Sequence, residues 1–323
     1  MIELIDLTKC YGATTAVDGL SVSIQSGMVT GFLGPNGAGK STTMRMIVGL
    51  DKPTAGRVLI DGKALIDDPA PMTTIGALLD AGTVPKACSG RNYLLGLAAT
   101  HGFGATRVDQ LLELTGLTAV AHRPFKTYSL GMGQRLGIAA ALIGDPEIVL
   151  LDEPVNGLDP EGVLWVRSLV KQLAAEGRTV FLSSHLMSEM AQTADHLIIL
   201  GRGHLLADTP MDEFLRASSE VASRVRSPQA ALLAQALAAP TVRVSFEGPD
   251  EIIVHGVQPG AVGQVAAQYG WVIDGLAPVI SSLEDAYMQL TDSSVEYRSG
   301  ATAPQPLYAR PSTSNTTSDK ETH

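Results

Sequence analysis

An α/β fold over residues 1–215, followed by a smaller α+β unit over residues 216–297, is predicted by three features of the sequence. Short β-branched and aliphatic runs alternate with helical stretches through the first region, the texture of helices layered on a parallel sheet. The runs at residues 148–151 and 179–182 are apolar throughout, as strands buried on both faces are. In the second region the element order is βαββαβ, that of the split βαβ, ferredoxin-like arrangement.

Taken in order, residues 28–33 read as an apolar strand and residues 42–50 as the helix that follows it. Strands are expected at residues 148–151 and 179–182, each ending in polar residues. The second region reads as a strand (221–226), a helix (229–239), two strands (242–246 and 252–257), a helix (261–269), a strand (271–274) and a last helix (283–290). Gly248-Pro249-Asp250 marks the turn between the paired strands. Residues 298–323 are Ser, Thr, Pro and Ala with almost no apolar periodicity, which predicts a disordered tail.

Composition excludes some function classes. The chain has 323 residues, 45% apolar and 17% charged, enough for about two domains. Its formal charge of −10 comes with Arg and Lys scattered, so no basic face for nucleic acid is expected. No apolar run approaches the ~20 residues of a membrane-spanning helix. The opening MIELIDLTKC lacks the layout of a secretory leader, and Cys10 and Cys88 make no disulfide framework. A soluble, cytoplasmic chain is expected. In such a chain the glycosylation pattern Asn315-Thr316-Thr317 is read as accidental.

The strongest local signal is Gly34-Pro35-Asn36-Gly37-Ala38-Gly39-Lys40-Ser41, which fits GxxxxGK[ST] between a strand and a helix opening at Thr42. Glycines let successive N–H groups converge on one anion, and the helix N-terminus adds positive potential. Lys40 supplies a mobile charge for the β- and γ-phosphates, and the Ser41 hydroxyl can ligate Mg²⁺. Nucleotide phosphate binding, and with it a P-loop NTPase, is the expectation.

Asp152 and Glu153 follow the strand at residues 148–151, at the edge where open α/β sheets bind ligands. Adjacent strand residues point to opposite faces, so the two acids are expected to do different work. Asp152 would hold Mg²⁺, and Glu153 would polarise a water attacking the γ-phosphate. His185 ends the next buried strand at the same expected edge, where its imidazole could donate a hydrogen bond to a γ-phosphate oxygen.

These elements in this order resemble the ATP-binding cassette (ABC) ATPases, over residues 1 to about 215. Tyr128-Ser129-Leu130-Gly131-Met132 stands where that family carries its LSGGQ signature; Ser129 and Gly131 match, Leu130 and Met132 depart. Asn156-Gly157-Leu158-Asp159 matches the D-loop, His185 the switch histidine, and Tyr11 the aromatic that stacks on adenine. Asp80 stands where the family has its Q-loop glutamine; it keeps an oxygen for Mg²⁺ or the attacking water, but is shorter and charged. The resemblance implies a RecA-like core with a helical signature subdomain at about residues 80–145. It also implies ATP and Mg²⁺ as ligands, with Ser129, Gly131 and Asp159 serving the nucleotide of an opposite subunit.

With one phosphate loop and one signature, two catalytic sites need a homodimer of cassettes. The C-terminal unit is similar to that of bacterial drug-export ATPases, such as those for bacitracin and daunorubicin resistance; residues 283–288 look like the helix that closes such chains. The implied function is the ATPase subunit of an exporter of drugs, lipids or other amphipathic solutes. It would lie on the inner face of the cell membrane, held there only through a transmembrane permease docked between Asp80 and Ser129. Three alternatives stand beside it: an importer ATPase, a soluble cassette acting on ribosomes or DNA, and a regulator that binds ATP without turnover.

Overall fold

The computed structural model describes residues 1–79, 84–185, 187–218, 222–240 and 242–279, together with 283, 284 and 287. Asp80, most of the expected helix at 283–290 and the whole of 298–323 lie outside the described residues.

The chain opens with β1 (Ile2–Tyr11) and β2 (Thr14–Ile24), an antiparallel pair joined at Gly12, whose φ of 59° suits a residue without a side chain. Then come β3 (Val29–Leu33), α1 (Lys40–Ile47), β4 (Ala55–Ile60), α2 (Pro71–Thr74) and β5 (Ile75–Leu78). Three helices follow, α3 (Gly90–Thr100), α4 (Ala105–Leu114) and α5 (Leu130–Ala141). After them run β6 (Ile148–Leu151), α6 (Pro160–Ala175), β7 (Thr179–Ser183), α7 (Met187–Thr193), β8 (His196–Gly201), β9 (His204–Pro210) and α8 (Met211–Ser218). Helix starts follow the capping residues: Ser89, Ser129 and Asp159 each accept a backbone N–H at the head of α3, α5 and α6.

The central sheet has the order β5-β6-β7-β3-β8-β9, parallel except for β9. Strands β3, β6 and β7 are buried on both faces, as their apolar runs predict. Along each strand successive side chains divide between two cores. Val29, Val149, Leu151, Val180, Leu182 and Leu197 join the helices α5 and α6. Phe32, Ile148, Leu150, Phe181 and Ile198 face the sheet β2-β1-β4 instead, with the Phe32 and Phe181 rings 4.9 Å apart. That antiparallel three-stranded layer is not foreseen by reading the first region as alternating strands and helices.

Asp145 ties the layers from outside, accepting from Arg107 of α4 and from Arg178 ahead of β7, each at 3.0 Å. Burial raises its pKa, but the hydrogen bond from Arg178 and the charges of Arg178 and Arg107 outweigh this and hold it below the ordinary 3.8. A depressed carboxylate stabilises the fold above its unfolded pKa and loses that contribution as pH falls through the folded one. Asp145→Asn is therefore expected to lower stability by about 1 kcal/mol or less at pH 7. Denaturant titration should show the gap between variant and parent vanishing at pH 2; a gap that persists there would exclude this linkage.

The remaining described chain forms β10 (Ala222–Arg226), α9 (Ala230–Ala236), β11 (Arg243–Phe246), β12 (Glu251–His255), α10 (Pro259–Tyr269) and β13 (Gly275–Val279). Its antiparallel sheet has the order β11-β12-β10-β13, in which β12 splits the β10–α9–β11 unit, as the ferredoxin-like order requires. The last strand is Gly275–Val279, not the expected 271–274. Residues 271–274 satisfy their backbones outside the ladder. Trp271 N–H closes α10 on Ala266, the Val272 N–H and C=O bond Gln229 and Ser227, and Asp274 N–H bonds Arg226. Leu283 and Tyr287, one helical turn apart in sequence, are buried in the same apolar cluster as Met211 and Phe214 of α8 and the central sheet. No helix among the described residues is long and apolar enough to cross a membrane.

Candidate nucleotide-binding and catalytic site

Strands β6, β7 and β3 are consecutive in the sheet and run parallel, so the segments that leave their C-terminal ends meet at one edge. Between β3 and α1 the loop of residues 34–39 turns back on itself. Gly37 has φ 81° and open space where a side chain would be; Gly39 has φ 103° and no such space, since a Cβ would lie 2.4 Å from the Ala16 carbonyl oxygen. Gly39→Ala should therefore distort the loop, lowering stability by about 1–3 kcal/mol and abolishing nucleotide binding. A fluorescent-nucleotide titration on the folded variant with parental affinity would contradict this.

α1 begins at Lys40 rather than at the expected residue 42, placing Ser41 and Thr42 in its first turn. Lys40 is buried, its Nζ donating to the Gly34 carbonyl at 2.7 Å and the Pro35 carbonyl at 3.3 Å. Burial pushes its ammonium below the usual lysine value, against the opposing pull of Glu153 and Asp152. The ammonium is thus held across the loop with little water of its own, next to a cavity of about 440 Å³ lined by Tyr11, the loop, Asp152 and Glu153.

The two acids both line that cavity, which corrects the expectation that they point to opposite faces. β6 ends at Leu151, and Glu153 adopts φ 50°, so strand alternation has already stopped. Their partners nevertheless differ. Asp152 Oδ2 accepts from Ser41 Oγ at 2.7 Å, while Glu153 Oε2 lies 2.7 Å from His185 Nδ1. The imidazole bonds the carboxylate through Nδ1, and its side chain is half exposed.

Tyr11 stands at the rim of the same cavity, with its hydroxyl on Asp51 at 3.0 Å and the Lys9 ammonium 4.9 Å from its ring centre. Asp51 is anchored by Arg45 of α1 at 2.8 Å, and that hydrogen bond holds its carboxyl below the ordinary range. Ser129, Gly131 and Asp159 are outside the cavity lining. The segments that carry them pack together instead: a Cβ on Gly131 would be 3.0 Å from the Gly157 carbonyl, and one on Gly157 2.2 Å from Leu130. Ser129 Oγ accepts from Met132 N–H at 3.2 Å and Asp159 Oδ1 from Gly162 N–H at 2.9 Å, so both serve as helix caps.

Sequence reasoning assigned no task to Ser183, Gln134 or Asp51. Ser183 donates to Asp152 and accepts Glu153 N–H at 3.0 Å, while Gln134 Nε2 donates to the Glu153 carbonyl at 2.9 Å. The sole available signal for Ser183 was its place beside His185 at a strand edge.

A hydroxyl and a carboxylate at 2.7 Å form a hard oxygen donor pair suited to Mg²⁺. No cluster of three or more His, Cys, Asp or Glu among the described residues could hold a metal ion by itself. A glycine-rich anion cradle at a parallel-sheet edge, with Lys40, Ser41 and two carboxylates around one cavity, defines the protein as a P-loop nucleoside triphosphatase.

Residues 17–156 match the family model described as ABC transporter, and residues 222–284 one described as a domain of unknown function. The chain is 36% identical to the bacitracin transport ATP-binding protein BcrA of Bacillus licheniformis over 298 residues, 90% of this chain and 97% of that protein. It is 45% identical to the uncharacterized ABC transporter ATP-binding protein YhcH of Bacillus subtilis over 209 residues, 64% of this chain and 68% of that protein. A solved dimeric, post-hydrolysis ATP-binding cassette, MJ0796 bound to ADP and Pi, overlays with a TM-score of 0.61 and 27% identity, covering 65% of this chain and 99% of that one. The chain belongs to the ATP-binding proteins of ABC transporters, a family of ATPases.

Proposed function

We propose that the chain is the ATP-hydrolysing subunit of an exporter of drugs, lipids or other amphipathic solutes. Two copies would pair, each closing the other's nucleotide site with Ser129, Gly131 and Asp159, and both would dock beneath a separate permease on the inner face of the membrane. The observation that carries the hydrolytic part is the Glu153–His185 pair at the edge of the cavity that Lys40 lines. Export is supported by the match along 97% of a protein named for bacitracin transport, which takes in the C-terminal unit as well.

Within the site, the loop N–H groups and Lys40 bind the triphosphate, and Tyr11 stacks on the base. Ser41 and Asp152 would hold Mg²⁺, which when bound neutralises charge on the β- and γ-phosphate oxygens. Glu153 Oε1 takes a proton from the attacking water as its oxygen bonds the γ-phosphorus and the bridging oxygen leaves with ADP. His185, bonded to Glu153 through Nδ1, orients that carboxylate and presents Nε2 to the γ-phosphate. Residues 1–215 act as the cassette, with the helical part at about 80–145 facing the permease, and residues 216–297 as an added unit.

The test is ATP-driven transport in inside-out vesicles bearing this chain and a permease encoded beside it. Accumulation of an amphipathic drug inside such vesicles is the expected result. Hydrolysis coupled only to movement in the opposite sense would overturn export and leave the importer reading.

A further inference from the structure

Glu153 is held in a backbone conformation that a residue with a side chain rarely adopts, φ 50°. Such a residue relaxes unless its surroundings over-determine it. Two buried polar side chains from different elements do so here. On one side, Ser183 of β7, with no solvent exposure, receives the Glu153 N–H on its Oγ at 3.0 Å. The same hydroxyl gives its only proton to Asp152 Oδ1, so it has no other donor role to take up. On the other side, Gln134 of α5, 5% exposed, donates its amide N–H to the Glu153 carbonyl at 2.9 Å, where Asn156 N–H also bonds at 3.2 Å.

We infer that Ser183 and Gln134 are positioning residues that clamp the Glu153 peptide from both sides and so aim its carboxylate. The inference rests on the reading of Glu153 as the base. Its physical content is that strand β7 and helix α5 must both be seated before the base is in place. Because Ser129 caps the same α5 that carries Gln134, the clamp ties the base to the helix whose head is proposed to meet the opposite nucleotide. Removing Gln134 leaves the triphosphate-binding groups untouched, so its loss should fall on turnover and not on binding, whereas removing Ser183 also frees Asp152 and should weaken both.

The experiment uses the full chain with Ser183→Val, Ser183→Thr and Gln134→Met, each measured for ATP hydrolysis and for fluorescent-ATP affinity. Gln134→Met removes one hydrogen bond at near-constant volume, while Ser183→Val removes two, those with Glu153 and Asp152, and adds a methyl group; each should lower kcat by about 10- to 100-fold. For Gln134→Met, KM and nucleotide affinity should stay within about twofold. Ser183→Thr keeps the hydroxyl and should turn over close to the parent rate. Added to Glu153→Gln, Gln134→Met should have almost no further effect, because groups acting as a unit are not additive. Parental kcat in both Ser183→Val and Gln134→Met beside an inactive Glu153→Gln would overturn the clamp alone, as would losses that multiply in the double variant. Normal turnover by Glu153→Gln would remove the base assignment and the clamp with it. Should Ser183→Val fail to fold, Gln134→Met decides, through the same split between kcat and affinity.

Discussion

Glu153→Gln is expected to bind ATP with parental affinity and to hydrolyse it at least about 10²-fold more slowly. The amide keeps the size and the acceptor oxygen facing His185, but it cannot take the proton of the attacking water. Loss of a general base amounts to roughly 10²- to 10⁴-fold, whereas the phosphate-binding loop and Lys40 are unchanged. A steady-state assay combined with nucleotide titration separates the two quantities. Near-parental turnover would take Glu153 out of that role; weakened affinity with unchanged turnover would make it a binding residue instead. His185→Ala should act in the same direction but less severely, since it deprives the carboxylate of a partner without removing the carboxylate.

The second large effect is at Lys40, where stability and binding should move in opposite directions. Its ammonium is buried among carbonyl oxygens, and burial lowers its pKa, so the folded chain holds that proton less readily than the unfolded chain. The sign follows. At pH 7 the full penalty of keeping Lys40 charged is present, and it is relieved only as pH rises from the depressed value toward 10.5. Lys40→Met removes the charge and keeps the packing. Without nucleotide its unfolding midpoint should equal or exceed the parent's at pH 7, with the difference shrinking as pH rises toward 10.5. ATP affinity should nevertheless fall by at least about 10²-fold, the equivalent of one or two charge-assisted hydrogen bonds to phosphate. A variant that is both less stable and able to bind ATP normally would contradict both halves.

What could be read in advance was what periodicity and motif spacing record. The phosphate loop, the acids after a buried strand, His185 at the next strand end and the βαββαβ order of the second unit are local patterns, and β3, β6 and β7 came out buried on both faces as their apolar runs require. What could not be read depends on where the chain goes once a pattern stops. Alternation in β6 predicts opposite faces for Asp152 and Glu153 only if the strand continues; it ends at Leu151 and Glu153 turns left-handed. Ser183 and Gln134 lie 30 and 19 residues from Glu153 in sequence, and their contacts exist only through the pairing of β6 with β7 and the packing of α5. The strand displaced to Gly275–Val279 has the same origin: Trp271 looks like a strand residue, but its N–H is spent closing α10.

The burial of Leu283 and Tyr287 in the cluster that holds Met211 and Phe214 bears on how the molecule can be made. A ribosome releases the phosphate loop, the acids and His185 long before it releases these two side chains. Through that interval the apolar ground they will cover faces water, and the growing chain carries a sticky patch beside an otherwise assembled sheet. Cutting the gene after residue 215 would make that interval permanent. The fragment would keep every motif of the nucleotide site and still be prone to self-association, so Leu283 and Tyr287 act as a cover for part of the cassette.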